Sequence, residues 1–278
     1  MNYTRDSLKL QKYTNVFNAI PIKELTITRS NIIKQFFIKM NEAYNIRFSP
    51  LQQLYSYSEV SYQNNLFRSI PDEIYNVIIS QYKHCNKISY KIGNKNVIYH
   101  IHDKKHLAQE TINDMLLKMN MWLYIAFEIA NNHCSDVLDI YIFLTDYKKH
   151  FPDYLSPVEQ INASTAFTTT CSSHNEIYIY RREEWFKVFI HETFHSTGLD
   201  FSDMNVSKCD SRINSMFSTN IKDLRLYESY CETWSNIIHS AFISFFNTKS
   251  KVNYELMLKH FHKIYSKVYS SGKNYYNI

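Results

Sequence analysis

The stretch from Glu184 to Gly198 constrains this chain more than any other. Its apolar residues Trp185, Phe186, Val188, Phe189, Ile190 and Phe194 fall on nearly every side of a helix that turns every 3.6 residues or so. A helix apolar all round is a buried one, so the layers of the fold must close over it. Acidic residues at Glu183 and Glu184 suit the positive end of such a helix, and Gly198 is a natural C-terminal stop. Only three glycines occur in 278 residues, which makes that placement informative.

Set into this apolar helix are His191, Glu192 and His195. Two histidines four residues apart point the same way, one turn above the other, so their imidazoles can share one metal ion. Glu192, one helical step round, reaches a water on that metal without binding the metal itself. This is the zinc-hydrolase arrangement H-E-x-x-H. Catalytic zinc uses three protein ligands and keeps a fourth position for water, so a third ligand is required.

Three regions compete to supply it. The metzincin pattern H-E-x-x-H-x-x-G-x-x-H places a third histidine at position 201, where this chain has Phe201. Asp200 and Asp203 flank that position without occupying it, and Met216 only imitates the methionine turn of that pattern. Glu228 and Glu232 make a stronger pair. They lie four apart on a helix expected over 224–246, among Leu226, Tyr230, Trp234, Ile237, Ile238 and Phe242. On a largely buried helix, adjacent carboxylates desolvate badly unless a cation compensates them. His239 lies eleven residues beyond Glu228, at least about 11 Å along the helix, too far to share an ion with it. Its expected place is the edge of the site.

Taken together, His191-Glu192-x-x-His195 and Glu228-x-x-x-Glu232 resemble the gluzincin, thermolysin-like metallopeptidases. The run from Glu228 to His239 is most similar to the second-helix motif of the lethal factor-type zinc peptidases. The resemblance covers roughly residues 138–239. It implies one Zn2+ held by His191, His195 and Glu228, with Glu232 hydrogen-bonded to a ligand histidine. It further implies Glu192 as general base in hydrolysing a peptide or protein substrate. Tyr227, Tyr230 and His239 are the candidate donors to the developing oxyanion.

The remaining sequence sets the expected frame. Apolar residues recur at helical spacing over 30–46, and Pro71 with Asp72 and Glu73 opens a second helix that reaches about residue 84. Alternation over 87–92 and 97–102 around Gly93-Asn94 predicts a β-hairpin. A long helix over 106–131 is followed by strands at 138–144, 161–171 and 176–180. The last of these is expected as an edge strand beside the cleft. After a loop over 200–223, two helices follow, over 224–246 and 254–269; residues 1–27 show no strong period. The fold class is thus α+β. The resemblance implies a zincin-like domain at 106–278, with a small mixed sheet over the active-site helix and a helical C-terminal part. A mixed α/β accessory region at 1–105 precedes it.

Composition narrows the function classes. Apolar residues make up 45% and charged residues 21%, as in an ordinary folded protein. No apolar run is long enough to span a membrane, and the N-terminus carries no secretory signal, so an intracellular or virion-associated protein is expected. Five scattered cysteines without C-x-x-C suggest free thiols in a reducing compartment. A charge of +5 gives little support for nucleic-acid binding. The abundance of Asn, Ile, Lys and Tyr resembles proteins of AT-rich genomes, such as large DNA viruses. The pairs His100/His102 and His260/His262 read as surface or core histidines, and Arg181-Arg182 as the solvated end of an element. The alternative to an enzyme is a structural or interaction protein on a zincin scaffold that binds zinc without appreciable peptidase activity.

Overall fold

The computed structural model describes residues 31–57, 69–105, 107–131, 133–152 and 156–271. The aperiodic N-terminal residues 1–27 lie outside them. The described elements, in chain order, are α1 (Asn31–Asn45), β1 (Gln52–Tyr57), α2 (Asp72–Gln81), β2 (His84–Ile92), β3 (Lys95–Asp103), α3 (Gln109–Ile129) and β4 (Val137–Thr145). Then come α4 (Gln160–Ala163), β5 (Ala166–Thr168), β6 (His174–Arg181), α5 (Trp185–Ser196), α6 (Ser207–Phe217), α7 (Leu226–Asn247) and α8 (Tyr254–Ser271). The class is mixed α+β.

The six strands form one mixed sheet in the order β1-β2-β3-β4-β6-β5. β2 and β3 are the expected hairpin, turning at Gly93 with φ +61°. β3, β4 and β6 run parallel, with α3 as the crossover between the first two, and β5 closes the edge antiparallel to β6. Strands buried on both faces explain why 138–144 and 176–180 read as nearly continuous apolar runs. On one face Tyr99 donates its hydroxyl to Asn120 of α3 at 2.6 Å, and Trp122 of α3 stacks on Phe194 of α5. On the other, Ile70, Ile74 and Ile78 of the α2 region pack on Phe143, Tyr178 and Tyr180.

Four neighbouring strands also contribute a row of stacked rings on that second face, His100–Tyr141–Tyr178–Phe167, with centroids 4.3, 4.6 and 4.8 Å apart. His100 and His174 both bond Asp139, at 2.6 and 2.7 Å. His102 is a core histidine stacked on Phe143, and burial pushes its pKa down to about 3.

The structure corrects several expectations. A boundary at residue 105 would cut the sheet, because β2 and β3 pair with each other and β3 pairs with β4. The described residues instead divide into one compact unit within 47–235 and a second formed by 31–46 with 236–271; the division falls within α7. The strand expected over 161–171 shrinks to β5, preceded by the single turn α4. Consequently β6 is internal, and β5 is the edge strand. The loop expected over 200–223 contains α6, a helix with no buried residue, which is why no apolar stripe announced it. β1 also escaped the sequence reading. Arg181 is fully buried and donates to the Ile161 carbonyl, so it is not a solvated end.

In the second unit, α1 packs on α8, with Phe37 edge-on to Phe261 at 6.4 Å. Lys251 caps the end of α7 by donating to the carbonyls of Phe245 and Thr248. Among the described residues no helix is long and apolar enough to cross a membrane.

Candidate metal centre

α5 lies against β5, β6 and α3, and its apolar residues bury it as its sequence requires: Phe186, Phe189, Ile190 and Phe194 are all in the core. Its far end closes in a Schellman motif. Gly198 takes φ +67° and donates to the His195 carbonyl at 3.3 Å, while Leu199 donates to the Phe194 carbonyl at 2.8 Å. Further donors reach the Ser196 carbonyl, namely Ser135 Oγ at 2.7 Å and Asn175 Nδ2 at 2.6 Å. The helix end is thus fixed from three directions.

His191 and His195 project from one face of α5 towards Glu228, in the first turn of α7. His191 Nε2 is 3.2 Å from His195 Nε2 and 3.2 Å from Glu228 Oε2. His195 Nε2 is 3.5 Å from the same oxygen. An ion with tetrahedral bonds of about 2.0–2.1 Å needs ligand atoms about 3.3–3.4 Å apart. The triangle therefore fits zinc in size, and its donor set of two imidazoles and a carboxylate fits in chemistry. Glu192 is buried beside the pair, and burial raises its carboxyl pKa against the opposing pull of His191 and His195.

An acid stands behind each histidine. Asp200 Oδ2 accepts from His195 Nδ1 at 2.6 Å, and Glu232 Oε2 stands 3.5 Å from His191 Nδ1. The carboxylate on His195 Nδ1 keeps the proton there and leaves Nε2 for a metal, whereas His191 Nδ1 is buried without a hydrogen bond and has Glu232 only as a neighbouring charge. Glu232 is in turn gripped through its other oxygen by buried Lys187, at 2.7 Å. Asp200 accepts from the backbone and hydroxyl of Ser202.

These contacts set the electrostatics of the metal-free site. Burial lowers the His191 pKa, but the carboxylates of Glu228 and Glu232 outweigh it and hold it up at about 9. For His195 the same opposition, with Asp200 and Glu228 as partners, leaves it at about 10. Glu228 is held far below the usual carboxylate range by its bonds to His191 and His195.

The side chains of Glu228 and Glu232 are 44% and 50% exposed, so desolvation is not what demands a cation. They stand at the solvent-facing mouth of the site, and the convergence of ligand atoms replaces burial as the argument. Tyr227 sets its ring edge against His195, with centroids 6.0 Å apart. Tyr230 packs with Phe194, Phe201 and Trp234. His239 falls in the second compact unit. A second grouping, His195 with Asp200 and Cys231, shares a ligand with the first; burial pushes the Cys231 thiol far up, which opposes the thiolate a metal needs.

Sequence reasoning missed Lys187 and Asp200. Lys187 precedes His191 by one turn, so helical spacing could have placed it on the same face. In sequence Asp200 merely precedes Phe201, and the reversal at Gly198 is what returns it to His195.

The cysteines require the other correction. Cys134 and Cys171 form a disulfide, while Cys85, Cys209 and Cys231 are free. Scattered spacing was a poor guide because the pair joins two loops 37 residues apart, and the inference of a reducing compartment loses its basis.

Compared with known families, with curated proteins and with solved structures, the chain matches none.

Proposed function

We propose that the chain is a zinc-dependent metallopeptidase of gluzincin type, with a zincin-like core. The observation that carries this reading is the convergence of His191 Nε2, His195 Nε2 and Glu228 Oε2, 3.2–3.5 Å apart, beside the buried carboxyl of Glu192. His191, His195 and Glu228 would hold one zinc ion. When bound, zinc supplies Lewis acidity and a water of lowered pKa at its open position.

The residues around it have separable duties. Glu192 takes a proton from the attacking water and hands it to the leaving amine; its burial raises its basicity towards that task. Asp200 and Glu232 orient the two imidazoles, and Lys187 steadies Glu232. Tyr227, whose ring adjoins His195, is better placed than Tyr230 to donate to a developing oxyanion, since Tyr230 is engaged in an aromatic cluster. β5, at the sheet edge and against α5, offers the backbone groups to which an extended peptide could pair.

Glu192→Gln separates enzyme from zinc-binding scaffold. The variant should bind zinc as tightly as wild type and lose about 10²–10⁴-fold in cleavage of a peptide library. Equal cleavage by both proteins would remove Glu192 from the mechanism, and no cleavage by zinc-loaded wild type would favour the scaffold.

A further inference from the structure

The Cys134–Cys171 disulfide lies against the end of α5. A Cβ added at Gly198 would meet Cys134 Sγ at 3.0 Å, so the backbone at this left-handed position runs directly over the sulfur. The loops joined by the disulfide are those that cap the helix. On one side, Asn131 N donates to the Thr197 carbonyl at 3.3 Å, and Ser135, itself left-handed at φ +55°, reaches the Ser196 carbonyl. On the other, Asn175, at the start of β6 where the Cys171 loop ends, reaches the same carbonyl and also Ser135 Oγ, at 2.8 Å. Ser135 N donates to the Ser172 carbonyl at 2.6 Å and ties the loops together. A non-glycine residue keeps a left-handed backbone only where its surroundings over-determine it. Two residues beyond Gly198, Asp200 grips His195 Nδ1.

Resting on the metal-centre reading above, we propose that this disulfide is a positioning device for the metal ligands, so that thiol reductants control metal affinity. The path runs from the sulfurs through Gly198 to Asp200 and His195. Cys134 is buried and Cys171 exposed, which leaves one sulfur open to attack. A dithiol thiolate attacks Cys171 Sγ and expels Cys134 as thiolate. The second thiol of the reagent then resolves the mixed disulfide. The protein gains two electrons and two protons as two thiols, and the reagent becomes a disulfide. Freed from the crosslink, the capping loops no longer fix the turn at Gly198, and Asp200 loses its register with His195. Loss of such an orienting carboxylate costs about 10–100-fold in metal affinity.

The test is zinc titration of the full chain against a chromophoric chelator, before and after reduction with a water-soluble phosphine, which avoids the chelation of zinc by dithiols. Circular dichroism checks that the reduced chain stays folded. The oxidised protein should bind one zinc, and the reduced protein should bind it at least tenfold more weakly. In Asp200→Asn, already weakened, reduction should add less than twofold, because both changes act through one contact. Equal zinc affinity before and after reduction, or a full additional tenfold loss in Asp200→Asn, overturns the proposal. If reduction unfolds the chain, Gly198→Ala carries the test in oxidised protein: a tenfold loss supports the path, and affinity within twofold of wild type defeats it. Absence of zinc binding in oxidised wild type would instead defeat the metal centre itself.

Discussion

The charge state of the metal-free site dictates how zinc binding responds to pH. A metal needs the Nε2 lone pairs of both histidines, but hydrogen bonds to carboxylates hold protons on the pair up to about 9 and about 10. The two Nε2 atoms are 3.2 Å apart, so both cannot carry protons aimed at each other, and the pair titrates as a unit. One proton is therefore displaced by zinc between pH 7 and 9. Log affinity should rise with unit slope, about 100-fold over that interval, or about 2.7 kcal/mol. Above pH 10 the slope should vanish. The assay is chelator competition at constant ionic strength, corrected for the chelator's own protonation. A flat profile between pH 7 and 9, with a slope confined below pH 6.5, would refute the reasoning, because the carboxylates would then not be holding the protons. The same linkage acts on folding. A pair pKa raised above the unfolded histidine value of about 6.5 favours the fold fully below that pH, and the contribution of this one proton is lost as pH rises through the range from about 9 to about 10. Metal-free protein should accordingly show a falling Tm across that window, and zinc-loaded protein should not.

Three further substitutions probe the site and the sheet that carries it. Glu228→Ala should strip zinc while Glu232→Gln keeps most of it, as read by metal analysis after gel filtration; loss of zinc in Glu232→Gln alone would place the third ligand one turn away. Asp139→Ala leaves His100 and His174 without their shared acceptor, with His100 only 12% exposed, and should cost about 1–3 kcal/mol in urea denaturation. A cost below about 0.5 kcal/mol would make that cluster a surface ornament.

Much of the site was legible because its information is local. The spacing of His191, Glu192 and His195, the apolar girdle of α5, and the stop at Gly198 all follow from a 3.6-residue period and from glycine's access to positive φ. Glu228 was legible for a related reason: it heads a helix whose second acid lies one turn on. The reading failed where the period was interrupted or absent. β5 is three residues long and α6 buries nothing, so neither left a periodic trace. The half-exposed state of Glu228 and Glu232 was misread because the apolar residues of α7 concentrate their burial in its second half, at Ile238, Ala241, Phe242 and Phe245.

By itself the sequence determined a buried helix bearing two imidazoles on one face, with a carboxylate beside them and a second acidic helix downstream. Tertiary structure alone decided that Glu228 reaches both imidazoles and that Asp200 turns back to His195. It likewise placed Lys187 on Glu232, and Cys134 and Cys171 beneath the helix end. The physical reason is that helical geometry is set by neighbours within four residues. A ligand triangle, a capping network and a disulfide depend on how distant segments are brought within a few ångströms by the sheet and the core.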